Sequence, residues 1–172
     1  MKKILTLFAV VGLFAFSSCS DDDNVVDTNT ISEVFQLNNV DFGYNAQDGF
    51  NIYTDLNPLL FNEDVILIYR RIGSINGTGA PIWQQIPRTI YLPQGELDYD
   101  FDFSNEHVII YARGNYDLEL TPQYLDNQTF RIVIVPGSPN GSAKSINKED
   151  FSDYNAVIKR YGIDDSKVKV LK

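Results

Sequence analysis

Four acidic side chains occupy every second position of "GELDYDFDF": Glu96, Asp98, Asp100 and Asp102. Such a run invites a calcium reading, because the ion takes about six to eight oxygen ligands, many of them carboxylates. In a strand, however, period two puts all four on one face, with Leu97, Tyr99, Phe101 and Phe103 on the other. Neighbours on that face lie about 6.6 Å apart, too far for one ion to collect three in a row. With Asp98 as the first residue of a calcium loop, Phe103 also falls where the loop requires glycine. A solvated acidic face is the better reading. His107 is the single histidine, which excludes a metal site of several histidines. A Ser-His-Asp arrangement would have to run through it, and no Gly-x-Ser-x-Gly elbow accompanies it. Opening a strand after "SNE", His107 reads as a strand-end side chain. Paired carboxylates for glycoside hydrolysis could be drawn from many Asp and Glu residues, but the sequence singles out no pair. The expectation is a non-enzyme with no catalytic residue, metal site or cofactor.

Two residues remain as ligand candidates. Trp83 follows the glycine-rich stretch "SINGTGAP", and Asn76 lies within it. A Trp beside a polar loop could stack on a sugar ring, although Trp is more often mostly buried. The Asn-Gly pairs at Asn76 and Asn140 read as turns.

The lone cysteine, Cys19, gives the most specific chemistry. Lys2 and Lys3 precede "ILTLFAVVGLFAF", an apolar run of 13 residues, shorter than the roughly 20 needed to cross a bilayer. Ser17 and Ser18 then lead to Cys19, a secretory layout. This segment resembles a bacterial lipoprotein lipobox, with Phe16 and Ser18 in place of its commonest residues. The resemblance implies a leader over residues 1–18 and acyl chains on Cys19 that hold the protein on a membrane without spanning it. Ser20, Asp21, Asp22 and Asp23 follow directly. They are similar to the acidic signal that sends lipoproteins of the Bacteroidota to the cell surface; the alternative is a solvated charged spacer.

These features need a scaffold. The chain of 172 residues has 14 basic and 23 acidic side chains and a net charge of −9; losing Lys2 and Lys3 would take it to −11. Such a body repels phosphate backbones, so nucleic acid is excluded as a partner. Residues 19–32 are polar and read as a tether, leaving residues 33–172 as one domain. From Glu33 onward the period is two. "EVFQLNNVDF" and "FNIYTDL" are strand-like, while "DVILIYRRI", "HVIIYA" and "TFRIVIV" have the continuous apolar character of strands buried on both faces. About seven to nine short strands separated by turn chemistry predict an all-β fold, specifically an Ig-like antiparallel β-sandwich. One short C-terminal helix is predicted over about residues 148–161. Asn147 would cap it, and Phe151, Tyr154, Ile158 and Tyr161 would form a stripe over an end or edge of a sheet before Gly162 stops it. "SKVKVLK" alternates again and predicts a last edge strand.

The block from "IWQQIPRTIYLPQGELDYDFDF" through "NEHVIIYARGNYDLEL" to "FRIVIVPG" looks like a small all-β module of Bacteroidota surface lipoproteins, sometimes found behind collagen-like repeats. No functional residues carry over from that resemblance. The expected function is a binding or assembly role on the bacterial outer membrane. Contact through the loop from Gly73 to Pro81 is expected, with other envelope proteins as partners; recognition of a glycan through Trp83 is the alternative.

Overall fold

The computed structural model describes residues 33–137 and 151–171. Residues 1–32, which include Cys19 and the acidic run from Ser20 to Asp23, lie outside them. Ten strands and one α-helix are described: β1 (Val34–Val40), β2 (Gly43–Asn45), β3 (Gly49–Asp55), β4 (Val65–Ser74), β5 (Pro81–Ile86), β6 (Arg88–Leu92), β7 (Gly95–Phe103), β8 (His107–Gly114), β9 (Gln128–Val135), α1 (Tyr154–Tyr161) and β10 (Lys169–Val170). They form two five-stranded sheets, ordered β10-β1-β9-β4-β5 and β2-β3-β8-β7-β6. The protein is all-β, with a single short helix among the described residues. The strand count passes the expectation through two very short edges, β2 and β10. Pairing is antiparallel except between β10 and β1, which run parallel. The predicted last edge strand is therefore present, and Lys169 on it reaches back to Glu33 at 2.6 Å.

Alternation explains how the sheets share a core. Phe35, Ile66, Ile68, Phe130 and Ile132 from the first sheet meet Leu97, Tyr99, Val108 and Ile110 from the second, all almost wholly buried. The opposite register of the first sheet is apolar too: Val34, Leu67, Tyr69, Val133 and Val135 pack under Tyr154, Val157 and Ile163. The continuous apolar runs of β4 and β9 follow from this second covering. "HVIIYA" differs. Val108, Ile110 and Ala112 of β8 point inward, but Ile109 on its outer register is only half-buried.

The helix departs from its prediction in start and place. It begins at Tyr154, with the Asp153 side chain accepting from the amides of Asn155 (2.9 Å) and Ala156 (3.2 Å). Asn147, Glu149 and Asp150 lie outside the described residues. Phe151 precedes the helix, and its carbonyl accepts from the Tyr69 hydroxyl at 2.7 Å. Gly162, in the left-handed region at φ 61°, closes α1 as expected, a conformation glycine adopts without steric cost. The helix lies across the outer face of the first sheet rather than at an end or edge. That outer face is itself apolar, so Tyr154 and the fully buried Val157 pack onto Val34, Leu67, Tyr69 and Val133 there.

Candidate functional site

The β4–β5 hairpin carries the predicted contact loop. Val65 to Arg70 of β4 pair with β9 on one side, whereas Arg71, Gly73 and Ser74 pair only with Trp83, Ile82 and Pro81 of β5. The hairpin thus continues past the five-stranded sheet as a two-stranded arm. Every residue from Arg71 to Ile82 is exposed. Its tip is held by Ile75 donating to the Ala80 carbonyl (2.8 Å) and Gly79 donating to that of Ile75 (2.9 Å). Gly77 and Gly79 supply the positive φ that this turn needs. Ile72, Ile75 and Ile82 stand 48%, 52% and 39% exposed along the arm. These fractions matter because isoleucine is among the residues most often buried.

Asn76 lies at the tip of this arm and Trp83 at its root. Trp83 is half-buried rather than an open platform: the Arg131 guanidinium lies 4.6 Å from its ring centroid and the Tyr154 ring 5.7 Å away. Arg131 also donates to Gln36 Oε1 (2.9 Å), to Asp165 Oδ2 (3.0 Å) and to the Tyr154 hydroxyl. Trp83 therefore belongs to a staple joining β1, β5, β9, α1 and the segment after α1. Burial raises the Tyr154 hydroxyl pKa above its ordinary value, while Arg131 pulls it back down.

The outer face of the second sheet holds the acidic run. Register places Asp98 beside Thr89 and Arg113, Asp100 beside Tyr111, and Asp102 beside Ile109. Leu97 and Tyr99 of the same strand are buried, as period two requires. Thr89 donates to Asp98 Oδ1, and the Arg113 guanidinium covers the Tyr111 ring at 4.3 Å. Burial, and then a hydrogen bond to Asp102, raise the Tyr111 pKa. Among the described residues, no group of three or more His, Cys, Asp or Glu side chains could hold a metal ion.

His107 opens β8 as expected. Its ring stacks on Tyr53 at 5.2 Å, and its Nδ1 lies 3.0 Å from Ser104 Oγ. That same Ser104 oxygen accepts from the amides of Glu106 (3.1 Å) and His107 (3.3 Å). The hydroxyl is tied into the β7–β8 turn, a structural use of both side chains.

Arg70, at the base of the arm, carries no motif in the sequence. It shares parity with Ile66 and Ile68, so its side chain turns inward between the sheets; that parity was the available signal. Arg70 is 8% exposed. Its Nε donates to Gln128 Oε1 at 2.8 Å, and its guanidinium lies over the rings of Tyr99 (4.7 Å) and Tyr124 (5.6 Å). Gln128 is itself fixed, donating through Nε2 to the carbonyls of Gln123 (3.0 Å) and Asp126 (2.6 Å). Tyr99 donates to the Tyr124 carbonyl at 2.6 Å, anchoring the 3₁₀ turn Pro122–Tyr124. Burial lowers the Arg70 pKa, and the two tyrosines oppose that shift. Arg70 and Arg71 line a cleft of about 510 Å³ with Gln123, Asp126, Asn127 and Gln128.

Comparisons with family models, with curated proteins and with solved structures gave no match.

Proposed function

We propose that this chain is a lipid-anchored outer-membrane protein, displayed on the cell surface, whose Ig-like β-sandwich binds a partner envelope protein through the β4–β5 arm without catalysis. The observation that carries the reading is the arm itself. Ile72, Ile75 and Ile82 remain exposed on it, whereas Leu67, Tyr69 and Val133 in the middle of the same sheet are covered by Tyr154, Val157 and Ile163. Exposed apolar side chains on a projecting hairpin are the kind of surface that association removes from water. The Ig-like assignment draws on the two sheets closing over one core and on loops gathered at their ends. The anchor rests on the lipobox-like approach to Cys19, and surface display on Ser20, Asp21, Asp22 and Asp23. The glycan alternative loses support because Trp83 is half-buried, with the Arg131 guanidinium and the Tyr154 ring already packed against it.

One experiment tests anchor and arm together. The full-length chain is tagged and expressed in a bacterium that lipidates it, alongside Cys19→Ala and Ile72→Asp/Ile75→Asp variants. The parent is expected to enter the detergent phase and to bring down one envelope protein in fixed ratio. Cys19→Ala should lose the detergent phase, and the arm variant should keep it but lose the partner. Partitioning unchanged by Cys19→Ala would end the anchor reading. A partner retained by the arm variant would end the arm reading.

A further inference from the structure

A guanidinium that is more than nine-tenths buried normally has a carboxylate to itself, because an unpaired buried charge is costly. Arg70 has none. The ion pairs among the described residues join Arg131 to Asp165, Lys167 to Asp164 and Lys169 to Glu33. Asp126, the one acidic residue lining the cleft, does not pair with it. Arg70 is held instead by one amide oxygen at Nε and by two aromatic rings. Those contacts orient the fork and leave both Nη nitrogens without a protein acceptor. Among the described residues, the orphan side-chain polar atoms fully shut off from solvent are Glu33 Oε2 and the Tyr161 hydroxyl. The Nη nitrogens are not among them, so they reach solvent through the cleft.

We infer that the cleft at the base of the arm is a binding site for a small carboxylate ligand, which the two Nη nitrogens of Arg70 grip as a fork. The planar guanidinium matches a carboxylate with two parallel N–H···O bonds, and partial desolvation strengthens them. Its volume of about 510 Å³ falls in the range of small-molecule sites, roughly 300–1,000 Å³. The side-chain amides of Gln123 and Asn127 on the rim offer donors and acceptors to the rest of such a molecule. Arg71 also lines the cleft, with its guanidinium donating to the Ser74 hydroxyl of the arm at 2.7 Å, and Asp126 offsets its charge. That near balance, on a chain of net charge −9, favours a single carboxylate over a polyanion. The inference stands apart from the partner reading, which rests on the isoleucines of the arm.

The test uses the full-length protein in detergent, with N-acetylglycine standing for a peptide terminus and D-glucuronate for an acidic sugar. Inorganic phosphate and chloride at matched ionic strength are the comparisons. Nitrogen-detected NMR of Arg70 Nε and the Gln128 amide should shift saturably with at least one carboxylate, and the tighter of the two names its source. Arg70→Met should abolish the response. Gln123→Glu places a negative charge on the exposed rim without touching the core, and should weaken binding about tenfold with the circular dichroism unchanged. If Arg70→Met does not fold, Gln123→Glu decides alone. No saturable shift with either carboxylate would overturn the inference. So would an equal response to phosphate or chloride, or binding indifferent to the Gln123 variant.

Discussion

The outer faces of the two sheets are built from the same kind of strand and have opposite fates. On the first sheet Val34, Leu67, Tyr69, Val133 and Val135 disappear beneath α1 and the segment that follows it. On the second, Asp98, Asp100, Asp102 and Arg113 form a polar register, with Tyr111 buried beneath Arg113 and no helix laid over it among the described residues. The difference shows where hydrophobic free energy is placed. A strand that is apolar on both registers demands a third layer, and the aromatic stripe of α1 supplies it; a strand that alternates with carboxylates needs only water. The covered face immobilises Trp83 through Arg131 and Tyr154, whereas Arg70 and the arm lie where β4 runs out past its neighbour β9.

The most severe way to break the comparison is to place a charge under the helix. Val157 is fully buried against Leu67 and Tyr69. Val157→Asp strands a carboxylate there with no cation, at a cost of about 3–5 kcal/mol. Urea unfolding followed by tryptophan fluorescence should show the midpoint fall accordingly, since Trp83 sits beside Tyr154. A loss below about 1 kcal/mol would mean that α1 contributes little to the folded state.

The tyrosines sharpen the comparison through pH. Burial raises the pKa of Tyr69, and of Tyr154 beside it, well above the ordinary 10.0. The charged form is the deprotonated one, so the folded state holds these protons more tightly than the unfolded chain. Their contribution to stability is therefore complete below about pH 10 and is lost as pH rises above it. On the open face Tyr53 is raised for another reason, its hydrogen bond to Asp55. In an absorbance titration at 295 nm, Tyr69 and Tyr154 should ionise only as the domain unfolds. Tyr53 should titrate in the folded state, and Asp55→Asn should move it down toward its ordinary value. Gradual ionisation of every tyrosine without unfolding would contradict the covered layer.

Much of this division was legible in the sequence. The unbroken apolar runs of β4 and β9 implied cover on both sides, and the alternation of β7 implied one wet face. Tyr154, Ile158 and Tyr161 marked the helix that provides the cover. Its destination was not legible, because the spacing of Tyr154, Val157, Ile158 and Tyr161 defines an apolar side but not the sheet face, built from β1, β4 and β9, that receives it. Trp83 was equally ambiguous: its position near a glycine-rich loop suggests exposure, and only the meeting of β9 with α1 brings Arg131 onto its ring. For Arg70, parity with Ile66 and Ile68 was readable along β4. That no carboxylate awaits it depends on Tyr99 from the other sheet and Tyr124 from the β8–β9 connection, contacts that no local pattern encodes.

The smallest expected effect lies on the open face. Asp100 accepts from the Phe101 amide at 2.8 Å and sits between Asp98 and Asp102, each about 6.6 Å along the strand. Like charges at that spacing repel within the screening length of about 10 Å at 0.1 M salt. Asn retains a side-chain oxygen for the amide and removes the repulsion. Asp100→Asn should therefore leave stability within about 0.5 kcal/mol of the parent, on the stabilising side, with the gain shrinking as salt is added. Urea midpoints at low and high ionic strength measure both the sign and the trend. A salt-independent loss above about 1 kcal/mol would show that Asp100 holds structure rather than facing water, and the contrast between the two outer faces would then fail at its centre.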